Sequence, residues 1–140
     1  MNKKYERYIN YIVNDIEKPY IVNMRDSYGL KQSEYELVLS KVYDQPVNIK
    51  YTDIYDANDK LIYSEDSNGF WVKYEYNTNG NLIYSETSSG YWYKNEYDIN
   101  GNKIYFEDSN GFWVKREYDT NGNEIYYENS YGNIEDNRYE

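Results

Sequence analysis

A phrase built from tyrosine, aspartate or asparagine, and a short asparagine and glycine run returns every 21 residues through the C-terminal part of this chain. Tyr55, Tyr76, Tyr97, Tyr118 and Tyr139 head the successive repeats, which read YDANDKLIYSEDSNGFWVKYE, YNTNGNLIYSETSSGYWYKNE, YDINGNKIYFEDSNGFWVKRE and YDTNGNEIYYENSYGNIEDNR. A fixed period of this length confines the chain to architectures in which each repeat is one supersecondary element stacked on its neighbours. Two turn signals fall in every repeat. Asn79-Gly80, Asn100-Gly101 and Asn121-Gly122 mark one, with Asn58-Asp59 as its weaker first copy; Asn68-Gly69, Ser89-Gly90, Asn110-Gly111 and Tyr131-Gly132 mark the other. Glycine and asparagine tolerate the positive φ of tight hairpin turns, so each repeat is predicted to be two short antiparallel strands.

The register of such hairpins decides which side chains share a face. A two-residue Asn68-Gly69 turn sets Ser67 against Phe70, Glu65 against Val72, Tyr63 against Tyr74 and Leu61 against Tyr76. A three-residue Thr78-Asn79-Gly80 loop then sets Tyr76 against Leu82, Tyr74 against Tyr84 and Val72 against Glu86. These pairings predict a row Tyr63, Tyr74, Tyr84, Asn95, Tyr105, Arg116, Tyr126 on one face, with Glu65, Glu86, Glu107 and Glu128 beside it. The opposite face would carry Ile62, Ile83, Ile104 and Ile125, then Glu75, Glu96 and Glu117, Lys73, Lys94 and Lys115, and Trp71, Trp92 and Trp113. Neither face is wholly apolar, and cross-strand aromatic pairs contribute about 0.2 to 1 kcal/mol each.

The expected fold is therefore α+β: a short N-terminal helical segment, residues 1–47, followed over residues 48–140 by an antiparallel β-meander of hairpin repeats. The meander is expected as a largely single-layered, twisted sheet of about seven strands. In KKYERYINYIVNDIEK, Tyr5, Tyr8, Ile9, Ile12, Val13 and Ile16 stand three and four residues apart, which predicts a helical stripe ended near Pro19. A second helix is predicted over 33–43. Ser33-Glu34-Tyr35-Glu36 reads as a capping box, the loop at Gly29 precedes it, Leu37, Val38 and Val42 form its buried face and Pro46 stops it. Residues 20–28 fit either a short helix or an extended connection. The helices are expected to pack on the first hairpin and shield that sheet edge.

Charge is divided along the chain. Residues 1–47 hold seven basic and seven acidic side chains, whereas residues 48–140 hold eight and eighteen, so the repeats carry the whole net charge of −10. Such a field repels nucleic acid and anionic membrane and attracts basic protein surfaces; solubility alone is the competing use. The 22 tyrosines, with an apolar body and a polar tip, suit either a half-wet core or a recognition surface, and part of the excess would follow from an AT-rich coding sequence. The absence of cysteine and histidine removes disulfides, thiol nucleophiles, imidazole bases and the usual zinc ligands.

YDINGN at 97–102 and YDTNGN at 118–123 resemble the tyrosine and aspartate phrase of the YD or RHS repeat family, over residues 55–132. That resemblance implies an array of hairpins; the short chain and its Gly-x-Trp-x-Lys spacing do not imply the closed shell such repeats build elsewhere. SSGYWYK and NGFWVK look like the hairpins of choline-binding and cell-wall-binding repeats. By size, acidity and composition the chain is similar in type to small phage-encoded inhibitors of host defence such as anti-CRISPR proteins.

No reaction is legible. Glu65, Glu86, Glu107 and Glu128 on alternate strands would stand roughly 9.6 Å apart, near the spacing of an inverting glycosidase, yet a repeated acid does not make an asymmetric acid and base pair. In DTNGNE, Gly122 is in the wrong place for a calcium loop, and a hairpin turn accounts for the phrase. The expected protein is not an enzyme and uses no cofactor or metal. It binds a protein partner with a basic surface through Tyr74, Tyr84, Tyr105 and Tyr126 with Glu65, Glu86, Glu107 and Glu128, in the manner of an inhibitor of a nucleic-acid-processing defence enzyme that mimics the field of nucleic acid. The alternative is a carbohydrate or cell-wall module with Trp71, Trp92 and Trp113 as stacking platforms. No direct nucleic-acid or membrane binding is expected, and exposed sheet edges leave pairing of two copies open. MNKKYERYINYIV lacks an unbroken apolar run and no window approaches a membrane span, so the expected location is the cytoplasm, that of the host cell if the chain is phage-encoded.

Overall fold

The computed structural model describes residues 5–24 and 31–139. Among the described residues are one helix, α1 (Gln32–Tyr43), and eleven antiparallel strands: β1 (Tyr5–Val13), β2 (Ile16–Met24), β3 (Asn48–Asp56), β4 (Leu61–Asp66), β5 (Trp71–Tyr76), β6 (Leu82–Thr87), β7 (Trp92–Tyr97), β8 (Lys103–Asp108), β9 (Trp113–Tyr118), β10 (Glu124–Asn129) and β11 (Ile134–Asp136). Hydrogen-bonded order runs β11-β10-β9-β8-β7-β6-β5-β4-β3-β1-β2, an α+β fold with an open meander as the repeats predict. The chain forms two compact units, residues 1–73 and 74–140. Among the described residues no helix is long and apolar enough to cross a membrane.

In the first unit the helical stripe expected over residues 5–16 is instead a β-hairpin. Strand β1 alternates, with Arg7, Ile9, Tyr11 and Val13 buried and the residues between them less so. Asn14 and Asp15 both adopt left-handed φ, 53° and 61°, which is the backbone of a tight two-residue hairpin turn. Pro19 lies inside β2, opposite Asn10. Strand β2 has a neighbour on one side only, and an edge position tolerates a residue with no N–H to donate. The expectation for residues 20–28 resolves as extended up to Met24; the remainder and the loop at Gly29 lie outside the described residues.

Helix α1 forms where predicted but is rotated and starts earlier. Its N-cap is Lys31, whose N–H donates to Glu34 Oε1 at 3.3 Å, so the Ser33 box does not form. Glu36 instead accepts from the Ile49 N–H at 2.9 Å, which ties the helix to β3. The inward residues are Gln32, Tyr35 and Leu39; the expected buried face is solvent-exposed, with Leu37 61% and Val42 72% accessible. Asp44 takes the left-handed C-cap position, and the helix ends before Pro46 is reached. Ile9, Tyr11, Val13, Tyr35, Leu39, Val47 and Ile49 make the core, and Arg7 lies buried beneath the Tyr35 ring, 4.8 Å from its centroid.

The repeats use one turn design throughout. Except in the turn entered by Thr87, whose hydroxyl pairs with that of Ser89, an Asx residue enters the turn and its side-chain oxygen accepts the N–H groups two and four residues on. Asp66 does so for Asn68 and Phe70, Asp98 for Asn100 and Asn102, and Asp119 for Asn121 and Asn123. These backbone bonds, those from Asn102 and Asn123 foremost, hold the carboxyls of Asp98 and Asp119 below the usual range. Gly69 donates back to Asp66 O at 3.2 Å and has φ 84°, so Ser67-Asn68-Gly69 is a three-residue loop and not the two-residue turn expected. Register follows: Tyr63 faces Lys73, Ser64 faces Val72 and Glu65 faces Trp71.

The parity that this turn does not change is changed by a bulge. Tyr97 faces Lys103 but Glu96 faces Tyr105, which leaves Ile104 as an extra residue; Ile62 and Ile125 are extra in the same way. Successive repeats are stitched at both ends. Ser109 and Ser130 donate their N–H groups to the carbonyls of Trp92 and Trp113, and their hydroxyls accept from the same two residues. The Tyr97 hydroxyl donates to Leu82 O at 2.7 Å, and the Asn95 amide donates to the same carbonyl. Tyr97, which heads its repeat, therefore satisfies a backbone acceptor of the repeat before.

Candidate protein-binding face

Side chains directly opposite one another on paired strands share a face. In the second unit Tyr84 faces Lys94, Glu86 faces Trp92, Lys94 faces Glu107, Tyr105 faces Lys115 and Glu107 faces Trp113. Tyr84, Tyr105 and Tyr126 with Glu86, Glu107 and Glu128 thus stand on the same face as Trp92, Trp113, Lys94 and Lys115. The expected division, with tyrosines on one side and tryptophans on the other, is overturned by the moved parity. Residues of β5, β7 and β9 change sides, while in β4, β8 and β10 only those beyond the bulge keep theirs. Tyr74 alternates with Lys73 along β5 and so leaves the tyrosine row, as do Asn95 and Arg116.

What replaces the row is a repeated cluster. Tyr84 stacks on Trp92 with centroids 6.3 Å apart and planes 22° from parallel. In the first unit Tyr63 stacks on Trp71 at 6.2 Å and 25°, and the Lys73 ammonium sits 4.7 Å over the same indole. Lys115 sits 4.9 Å over Trp113 in the same manner. The hydroxyls of Tyr63 and Tyr126 donate to Glu65 and Glu128 at 2.7 and 2.8 Å. Each tyrosine feels these acids. Burial, then Glu86 and Glu75, push the Tyr84 phenol up; burial, then Glu107, do so for Tyr105; the Glu128 hydrogen bond leads for Tyr126. The last copy is closed off, because Arg138 lies 4.0 Å over the Tyr126 ring while pairing with Asp136 and Glu117.

A row of rings does exist, on the other face and from residues the register argument had not singled out. Tyr91, Tyr93, Phe106, Phe112 and Tyr131 follow one another with centroids 5.3 to 6.2 Å apart. Its sequence signal is the aromatic residue that follows Gly90 and Gly111, at Tyr91 and Phe112, which is visible only once the loops are known to hold three residues.

In the first unit Tyr63 faces Ile54, so its cluster continues the sheet face that α1 covers. A cleft of about 670 Å³ opens there, between Lys31, Gln32, Ser33 and Glu36 of the helix end and Tyr63, Glu65, Trp71 and Lys73 of the hairpin. Gln32 braces it, accepting from Thr52 Oγ1 at 2.8 Å and donating to Asp66 O at 3.0 Å. Among the described residues no group of three or more acidic side chains is placed to hold a metal ion.

No family model matches the chain, and no curated protein matches it. Among solved structures it is similar to part of a Tc holotoxin pore of Photorhabdus luminescens carrying a TccC3 mutation, with 19% identity, 68% of this chain and 5% of that one covered, and a TM-score of 0.48. It is similar also to parts of the TcdB2-TccC3-Cdc42 assembly, at 16% identity, 94% and 6% coverage and a TM-score of 0.48, and of the TcdB2-TccC3-TEV assembly, at 15%, 89% and 7%, and 0.38. The chain spans only a small part of the length of each of these.

Proposed function

We propose that the chain is a non-catalytic protein-binding repeat module that docks on a basic protein surface through the face bearing Tyr84, Tyr105, Glu86 and Glu107 with Trp92 and Trp113. The observation that carries this reading is the recurring stack of a half-buried tyrosine on a tryptophan, ringed by glutamates that outnumber lysines. Strand β7 puts Lys94 and Glu96 on this face and β6 adds Glu86, so each repeat leaves it net negative. Rigid aromatic anchors with a complementary charged surround are the chemistry of tight protein recognition. The carbohydrate alternative is weaker, because indoles meant for sugar stacking need open faces and those of Trp71 and Trp113 already carry lysine ammonium groups.

The finer reading makes the partner a nucleic-acid-processing enzyme, with the module, phage-encoded and acting in the host cytoplasm, occupying a groove lined by lysine and arginine. Affinity capture on the full chain, compared with a Glu86→Gln, Glu96→Gln, Glu107→Gln variant, tests both levels. Capture that weakens steeply between about 0.05 and 0.5 M salt, falls in the variant, and is displaced by DNA or RNA supports them. Capture displaced by neither salt nor nucleic acid removes the finer reading. Capture indifferent to the glutamates removes the docking face, and retention on glycan at high salt that is lost with Trp92→Ala selects the alternative.

A further inference from the structure

On the side of the first unit's sheet opposite α1 lies a second concavity, of about 360 Å³, lined by Glu6, Tyr8, Tyr51, Asp53, Tyr55 and Asp59. Pairing lays phenols and carboxylates out in a checkerboard, with Tyr8 opposite Asp53 and Tyr55 opposite Glu6 on β1 and β3. The rings of Tyr8 and Tyr55 meet edge to face, 5.4 Å apart at 89°, so that one supplies a wall where the other supplies a floor. Among the described residues three carboxylates and three aromatic rings line the hollow, and no lysine or arginine does. The electrostatics agree with that geometry. A hydrogen bond to Glu6, then burial, pushes the Tyr8 phenol up, with Asp59 adding to it; burial, then Asp53, pushes Tyr55 up.

Aromatic faces and carboxylates both present negative potential, so this hollow repels anions and gives a neutral guest no electrostatic gain. A metal ion requires converging oxygens at short range, and these acids are not so placed. A cation with an apolar coat meets both kinds of wall at once: the rings contact its alkyl groups and the carboxylates balance its charge without stripping a tight hydration shell.

We infer that this concavity is a binding site for an alkylated ammonium group, either a small quaternary amine or a methylated lysine side chain. Tyr8, Tyr51 and Tyr55 form the cage, and Glu6, Asp53 and Asp59 supply the counter-charge. The site shares no residue with the proposed docking face and stands whether or not that reading does.

Titration of the full chain, with carbon-labelled tyrosine observed by NMR at constant ionic strength, tests it. The probes are choline, acetylated trimethyl-lysine amide and dimethylbutanol, the uncharged carbon isostere of choline. Saturable shifts confined to Tyr8, Tyr51 and Tyr55 are expected, with an ammonium probe bound at least about fivefold more tightly than the isostere. The tighter ammonium probe identifies the source. Asp59→Asn removes charge while keeping a residue that tolerates the left-handed turn, φ 60°, and Tyr8→Leu removes a ring from a position 37% exposed; each should weaken binding severalfold in a folded chain. Equal binding of the isostere, saturation by neither ammonium probe, or undiminished binding in both variants overturns the inference.

Discussion

Tyr11 is buried, and its hydroxyl shares a 2.7 Å hydrogen bond with that of Tyr43 at the helix end. That bond first, then burial, pushes its phenol from 10.0 up to about 12. The folded chain thus keeps a proton that the unfolded chain releases near pH 10, so stability is intact below that value and is lost as pH rises towards about 12. Denaturant midpoints should fall across this window, and Tyr11→Phe should flatten the fall; an unchanged slope would place the linkage elsewhere. Gly101 shows a different single-residue constraint. Its φ of 86° is left-handed, and a Cβ there would meet nothing within 4 Å, so Gly101→Ala tests backbone conformation free of any clash. A cost of about 1–2 kcal/mol is expected by chemical denaturation, and a smaller one for Gly101→Asn, which tolerates that region better. Constraints of this kind were legible directly, since asparagine followed by glycine announces a left-handed turn. The number of loop residues was not, because Asp66 and not Ser67 is the residue that pairs with Phe70, and nothing in Ser67 marks it as loop instead of strand.

Elements were legible where side-chain type and burial agree, and misread where they part. Strand β1 reads as helix only if Arg7 is assigned to solvent; with Arg7 inside, 2% exposed under Tyr35, the inner row Arg7, Ile9, Tyr11, Val13 has the period of a strand. Tyrosine compounds the ambiguity, since Tyr5 and Tyr8 count as apolar for a helical stripe yet lie comfortably at a wet surface. The bulges are silent for a related reason: Ile62, Ile104 and Ile125 are ordinary strand residues, and no glycine marks the extra position. For α1 the apolar residues outnumber what the core can take, so the choice among them belongs to tertiary packing. Leu39, 6% exposed, should cost about 2–4 kcal/mol as Leu39→Ala, whereas Val42→Lys on the exposed side should leave thermal stability within about 0.5 kcal/mol of the parent. The reverse ranking by thermal denaturation would restore the helix face expected from its sequence.

At the scale of the molecule, the 21-residue period is the smallest insertion or deletion that this register allows. Turn glycines recur at positions 69, 80, 90, 101, 111, 122 and 132, so their spacing alternates between eleven and ten. Two three-residue loops leave side-chain parity unchanged, and the bulged isoleucine, which falls in the ten-residue half, supplies the extra residue that lets an odd period keep the same faces. A whole repeat can therefore be removed without moving any side chain to the wrong face, whereas a single residue cannot. Deleting residues 97–117 joins Glu96 to Tyr118 and rebuilds the same succession of turn, bulge and turn. That chain should unfold cooperatively, with a denaturant slope reduced roughly in proportion to the surface lost. Deleting Ile104 alone removes far less protein but forces β8 either to slip or to exchange its faces, parting Glu107 from Lys94, 2.9 Å away across the strands, and Tyr105 from Lys115. It should cost at least about 2 kcal/mol and disturb the near-ultraviolet circular dichroism of the tryptophan clusters. Were the single deletion the milder of the two, the bulge would be an incidental irregularity, and the shared face of tyrosine, tryptophan and glutamate would have to be set by something other than register.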